Sequence, residues 1–282
     1  MKQIHYSLII ILLFVKSVYA EDFESIPHVN AKALNSFKND YLYAAPHSAF
    51  AIAPGGAWSW VKDKITPNEA EKAALSACSR YTQQKCVLYA VDQQITFDYA
   101  SWYQLWGPYK TKKQAQQSAD GVLLGQKFPN IEYTNAAGKK KSIHQLKGKV
   151  SFVHFWASWC PSCVYEFPAI MDMYSIVNDI LPGQVEFVVL QVRESIQTSK
   201  KWAAKNGVEK TFLSDSGVKD DDDEILAIKG GKKIKDRMIA KVFPASYVLD
   251  KNGIVVFSNM GSIDNWNEYV NFFKHAAEHS GK

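Results

Sequence analysis

The apolar run Val150 to Trp156, followed by Trp159-Cys160-Pro161-Ser162-Cys163, constrains this chain most. It reads as a strand giving way to a helix, with two thiols at the junction. Thiols three positions apart can close a disulfide with each other and can pass it to another protein. Unpaired backbone N–H groups and the helix dipole favour negative charge at a helix N-terminus, so Cys160 is expected to ionise more readily than an ordinary thiol. The thiolate is the attacking species in disulfide exchange. Cys163, one turn on and on the same face, is then placed to resolve the mixed disulfide. Two other readings fit poorly. A zinc site needs two more ligands, and Cys78 and Cys86 lie far upstream with no His-x3–5-His pair to complete one. A purely structural bridge would close a very small loop and remove little unfolded-state entropy. The pattern requires no metal and no organic cofactor.

Residues 1–20 carry Lys2, an apolar core from Leu8 to Val15, and Val18-Tyr19-Ala20 before Glu21. This is the layout of a secretory signal peptide with a small-residue cleavage site. The apolar run is shorter than the ~20 residues that span a bilayer, which places an uncleaved anchor second. The expectation is export to a bacterial periplasm, the alternative being an N-terminally anchored protein facing it. A second cysteine pair suits an oxidising compartment. Cys78 falls near the end of a helix and Cys86 opens a strand, so a structural disulfide Cys78–Cys86 is expected. An internal relay, in which Cys160 exchanges with that pair, is the alternative. The formal charge of +5 falls to about +3 without Lys2 and Lys16, which singles out no polyanionic partner. No basic-aromatic groove points to nucleic acid.

The chain divides into a leader (1–20), a small α+β domain (21–109), a linker or bridging helix (110–120) and a larger C-terminal domain (121–282). In the first domain a helix is expected around Ala31 to Tyr43, and a strand or hairpin from Ser48 to Trp60 turning at Pro54-Gly55-Gly56. Thr66-Pro67-Asn68-Glu69 has the form of a helix start, continued by Ala70 to Tyr81. Strands are expected at Cys86–Ala90 and Ile95–Tyr99. Trp58, Trp60, Trp102, Tyr103 and Trp106 are core residues or a peptide-binding surface. In the C-terminal domain the order is a hairpin (131–143), strand 150–155, helix 160–177, strand 185–192 and helix 198–206. A short strand near 211–213, an irregular charged insert (215–241), hairpin strands 245–249 and 254–258, and a closing helix 264–279 follow. The near-continuous apolar strands suggest central positions covered on both faces.

Several segments together carry a family resemblance. They are Gly125-Gln-Lys-Phe-Pro-Asn-Ile, Gly138 to Lys149, Val153 to Cys163, Glu166-Phe-Pro168 and Phe243-Pro-Ala-Ser-Tyr-Val-Leu-Asp250 with Asn252-Gly253. Residues 121–282 resemble the thioredoxin fold and, within it, the TlpA/ResA-like thiol-disulfide oxidoreductases. The resemblance implies an α/β fold: a thioredoxin-like mixed sheet flanked by helices, behind the small N-terminal domain. It also implies an enzyme that exchanges disulfides with protein thiols, more as a reductant, as in cytochrome c maturation, than as an oxidase or isomerase. A membrane or periplasmic redox partner would complete the cycle. A redox-sensing chaperone or assembly protein that binds clients through its N-terminal domain is the reading from a different class.

Within that resemblance Cys160 is the nucleophile and Cys163 the resolving thiol. Glu166, three after Cys163, is an acid/base group, and helical spacing gives it reach. Pro244 matches the family's cis-proline facing the CxxC, and Phe243 before it is bulkier than usual, expected to narrow or grease the substrate groove. Trp159 is a flat apolar rim for docking. His154 departs from the pattern, standing where thioredoxin has a buried Asp and this branch often has Asn. It is either a proton relay or a hydrogen-bonded core residue. In the insert, the acidic run Asp220–Glu224 lacks the calcium-loop pattern and reads as a solvated loop starting a short helix.

Overall fold

The computed structural model describes residues 26–209 and 212–282, so the expected leader lies outside the described residues. Helix α1 (Ala31–Asn39) is capped by Asn30, whose side chain accepts from the Ala33 N–H, and runs into a 3-10 turn at Tyr41–Tyr43. Strands β1 (Ala49–Ile52) and β2 (Trp58–Val61) form the expected hairpin. Helix α2 (Pro67–Cys78) starts as Thr66 and Pro67 require, Thr66 accepting from the Glu69 N–H. It ends three residues before Tyr81. Strands β3 (Val87–Val91) and β4 (Gln94–Ile95) complete a sheet of order β2-β1-β3-β4. The strand expected through Tyr99 stops at Ile95, because Asp98 accepts from the Ala100 N–H and starts helix α3 (Tyr99–Trp102) instead.

Small residues allow α2 to lie close on this sheet: Ala70, Ala74 and Cys78 pack against Ala49, Ala51 and Ala53. The sulfur atoms of Cys78 and Cys86 are bonded across this contact. Phe37, Tyr41, Phe50 and Tyr89 belong to the other hydrophobic cluster, which is continuous with the C-terminal core. Trp102 and Trp106 are buried and Trp58 and Trp60 half-buried, so these aromatics serve packing and do not form an open peptide surface. Trp106 sits against Phe257, Phe272 and Phe273. Truncating one such aromatic typically costs about 3–5 kcal/mol.

The segment 110–120 contains a short helix, α4 (Lys112–Gln116), with a Thr111–Gln114 capping box. It is fastened down: the Lys110 ammonium donates to Ser118 Oγ and the Gly125 carbonyl, and Asn252 donates to the Lys110 carbonyl. Strands β5 (Glu132–Thr134) and β6 (Lys140–Ser142) pair as a hairpin. Then follow β7 (Val150–Trp156), α5 (Pro161–Ile180), β8 (Val185–Gln191), α6 (Ile196–Lys205) and β9 (Leu213–Ser214).

The insert is ordered differently from expectation. Strands β10 (Ile225–Ile228) and β11 (Lys232–Lys235) make a two-stranded hairpin turning at Gly230-Gly231, both at positive φ. Leu226 is the buried anchor; β10 is apolar at every position and β11 is mostly lysine, so neither shows an alternation. The acidic run starts no helix. Its side chains fold back on their own backbone, Asp220 accepting from the Asp223 N–H and Asp223 from the Lys219 and Ile225 N–H groups.

Strands β12 (Ala245–Leu249) and β13 (Val255–Met260) finish the main sheet, of order β13-β12-β7-β8-β9. β7, β8 and β9 are parallel and β12 runs antiparallel to both neighbours, which is a thioredoxin-like mixed sheet. All seven residues of β7 are buried, as a central strand covered on both faces requires. A 3-10 turn at Trp266–Tyr269 leads into α7 (Val270–His279). The N-terminal block grips this turn: Glu268 accepts from the His28 N–H at 2.6 Å, and the Tyr269 hydroxyl accepts from the Gly55 N–H at 2.7 Å.

Candidate active site

The C-terminal end of β7 hands over to α5 through Ala157-Ser158-Trp159, and this loop is held from below. Glu194, buried, accepts from the Ser158 N–H (3.0 Å), the Ser158 hydroxyl and the Ser199 hydroxyl. Cys160 is the N-cap of α5, with Pro161 at the first helical position where no N–H is needed. Its sulfur accepts from the Cys163 N–H at 3.2 Å and lies 3.4 Å from Ser162 Oγ. Cys160 and Cys163 are joined by a disulfide, Cα atoms 5.2 Å apart. Cys160 keeps 5% of its surface and Cys163 none, so whatever the pair shows to solvent belongs to Cys160. An anion on Cys160 would meet the unpaired N–H groups of the first turn of α5.

One turn beyond Cys163, Glu166 points into the core. Its Oε1 accepts from Trp266 Nε1 at 2.9 Å and its Oε2 from the Ile263 N–H at 3.3 Å. Burial outweighs these donors and pushes the carboxyl up to about 8. His154, on β7, is fully buried, its Nδ1 2.9 Å from Ser246 Oγ and 3.9 Å from Glu166 Oε1. Burial lowers it to about 3, so its imidazole is neutral. Nε2 has no hydrogen-bond partner among the described residues. At neutral pH the core under the disulfide therefore holds a neutral imidazole beside a mostly protonated acid. Their pKa values lie on opposite sides of neutrality, and only the acid titrates near the range where thiols exchange.

The other wall comes from the start of β12. Ala245 pairs with Phe155, which places the cis peptide Phe243–Pro244 at the end of the sheet that carries the cysteines. Trp159 is half-exposed, with its Nε1 donating to the Arg193 carbonyl and its ring 6.3 Å from that of Phe243. Phe243 itself is only 7% exposed. The expected greasy wall is corrected here, because guanidinium groups of Arg237 and Arg193 cover that ring at 4.1 and 6.0 Å. The structure thus gathers Cys160, Cys163, Glu166, His154, Trp159, Phe243 and Pro244 at one end of the sheet, and leaves Cys78–Cys86 in the N-terminal sheet. Sequence reasoning missed Trp266, Ser246, Glu194 and Arg237. The first two lie 100 and 92 residues from the groups they contact, and nothing local marks them.

A dithiol/disulfide pair at a helix start, at the end of a central strand of a thioredoxin-like sheet, defines a disulfide-exchange protein. Residues 124–258 match the AhpC/TSA family. The thiol-disulfide oxidoreductase ResA of Bacillus thuringiensis (strain Al Hakam) is 31% identical over 140 residues, covering 50% of this chain and 71% of the relative. ResA of Bacillus subtilis (strain 168) is 27% identical over 157 residues, 55% of this chain and 78% of that one. Among solved structures, a putative thiol:disulfide interchange protein DsbE from Chlorobium tepidum is 23% identical, covers 54% of this chain and 96% of its own, and has a TM-score of 0.41. The chain belongs to the thioredoxin-fold, ResA-like thiol-disulfide oxidoreductases. About half of the chain lies outside that similarity, and the family match leaves out residues 1–123 and 259–282.

Proposed function

We propose that this protein is a periplasmic reductant of protein disulfides, with Cys160 as nucleophile, Cys163 as resolving thiol and Glu166 as the acid/base group. The observation that carries the reading is the CPSC pair at the start of α5 with a buried carboxyl, poised near pH 8, one turn behind it. In the reduced enzyme the Cys160 thiolate attacks one sulfur of a client disulfide, forming a mixed disulfide and releasing one client thiolate. In the fraction of enzyme whose Glu166 is ionised, which grows as pH rises towards 8, Cys163 gives its proton to that carboxylate and attacks Cys160 Sγ, and the second client thiolate leaves. Two electrons pass to the client, and a donor dithiol must return them. Neutral His154, held by Ser246, positions the core around Glu166. Trp159 and the Phe243–Pro244 segment form the docking groove.

Export is supported by the signal-like layout of residues 1–20 and by the Cys78–Cys86 bond, whose natural setting is an oxidising compartment. Among the described residues no helix is long and apolar enough to cross a membrane. The test is insulin reduction driven by a dithiol donor, in which Cys160→Ser should abolish turnover. The potential of the CPSC pair then decides direction. A value near that of thioredoxin, about −270 mV, supports the reductant, and one near about −120 mV makes the protein an oxidant.

A further inference from the structure

The Phe243 ring, beside Trp159, is covered by two arginines in unlike states. Arg193 is neutralised: its guanidinium makes a two-point contact with Asp236 (2.8 and 3.1 Å) and lies 3.1 Å from Glu224. Arg237 has no carboxylate within 4 Å among the described residues. One of its nitrogens donates to the Lys241 carbonyl at 2.9 Å, its plane covers the Phe243 ring at 4.1 Å, and the residue stays exposed. Stacking and that hydrogen bond fix a long side chain that would otherwise sweep freely, leaving donors of the fork open to solvent. The segment that carries it, a 3-10 turn at Asp236–Met238, is itself pinned through Asp236 to Arg193, whose carbonyl holds Trp159 beside Cys160. The insert therefore brings one fixed, unpaired cation to the rim of the CPSC groove.

We propose that Arg237 selects clients, recognising a carboxylate on the client chain next to its reactive cysteine. The substrate class is a protein disulfide flanked by Asp or Glu. This rests on the reductant reading above. A planar guanidinium with free donors suits a carboxylate better than it suits an amide, and among the described residues no carboxylate competes for it, Asp236 and Glu224 being held by Arg193.

Two synthetic peptides closed by one disulfide, identical except for Glu or Gln beside each cysteine, test this with the reduced full-length protein. In each single turnover the CPSC dithiol gives two electrons to the peptide disulfide. Wild type should reduce the Glu peptide faster, on the order of fivefold at low salt, the upper reach of an exposed ion pair. The preference should fade in high salt, should vanish in Arg237→Gln, and should survive in part in Arg237→Lys, which keeps the charge. Equal rates on the two peptides in wild type, or an undiminished preference in Arg237→Gln, would overturn the proposal while leaving the reductant reading intact. If wild type reduces neither peptide, the reductant reading fails and takes the proposal with it.

Discussion

Replacing Glu166 by Gln should flatten the alkaline side of the stability profile. In the unfolded chain this carboxyl has its ordinary value of 4.5, whereas in the fold burial holds its proton to about pH 8. Between those values the folded state binds more protons than the unfolded one, so its stability falls as pH rises. Integrating both titrations from about pH 5.5 to about pH 8.5 gives a loss of roughly 3 kcal/mol from this one group. Asp250 and Glu268, also pushed up by burial, tilt the profile the same way but are common to wild type and variant. The difference in slope therefore isolates Glu166. Gln keeps an oxygen for Trp266 but turns an amide towards the Ile263 N–H, a mismatch of roughly 1–3 kcal/mol that is the same at every pH. Urea unfolding followed by tryptophan fluorescence, with both disulfides kept oxidised so that no thiol titrates, measures this directly. The variant should start less stable near pH 5.5 and lose roughly 3 kcal/mol less than wild type by pH 8.5. An unchanged slope would mean that Glu166 ionises in the fold as it does in the unfolded chain, and the assignment of a buried, proton-holding acid would be wrong.

On the acid side the sign reverses. His28 and His154 are lowered by burial to about 3, so stability should fall below pH 6.5 as the unfolded chain takes up protons that the fold refuses. His154→Gln should remove about 2–3 kcal/mol of the loss reached by about pH 4.5, and an unaltered acid limb would count against a buried neutral imidazole. In reduced protein, alkylation at mildly acidic pH should label Cys160 well before Cys163, which has no exposed surface; preferential labelling of Cys163 would reverse their roles. The Cys78–Cys86 bond should resist graded thiol reductant after the CPSC pair has opened. Replacing both cysteines by Ser should cost roughly 2–3 kcal/mol for so short a loop, with insulin reduction retained. Simultaneous opening of the two bridges, or a Cys160 adduct with either upstream cysteine, would favour the relay.

What could be read from the chain alone follows from the range of the interactions. Strand β7 and the start of α5 are written in consecutive residues: an unbroken apolar run, then a cysteine cap and a proline where a helix begins. The Thr66-Pro67 start of α2 is equally local. The surroundings of Glu166 are not, since Trp266 and Ile263 come from a turn about a hundred residues away that only the packed sheet brings beneath α5. The β10–β11 hairpin is hard to read because β10 is apolar throughout, with only Leu226 buried, and β11 is mostly lysine, so neither strand alternates clearly. Phe243 reads as a bare apolar wall in the sequence because Arg193 comes from a distant segment, and Arg237, though only a few residues upstream, is folded back over the ring by the 3-10 turn at Asp236–Met238.

The turn Trp266–Tyr269 serves two neighbours at once. Its first residue donates to the Glu166 carboxyl, while Glu268 and Tyr269 receive N–H groups from His28 and Gly55 of the N-terminal block. A chain shortened to begin near residue 121 would keep every atom of the CPSC pair and of Glu166, yet would expose the outer side of the turn that seals the acid from water. Water reaching that turn would draw the carboxyl back towards its ordinary acidity. Under the role proposed for Glu166, the excised half would then work at a shifted pH although identical in its cysteines. The N-terminal block is, in this sense, part of the solvent shield of an acid with which it shares no hydrogen bond among the described residues.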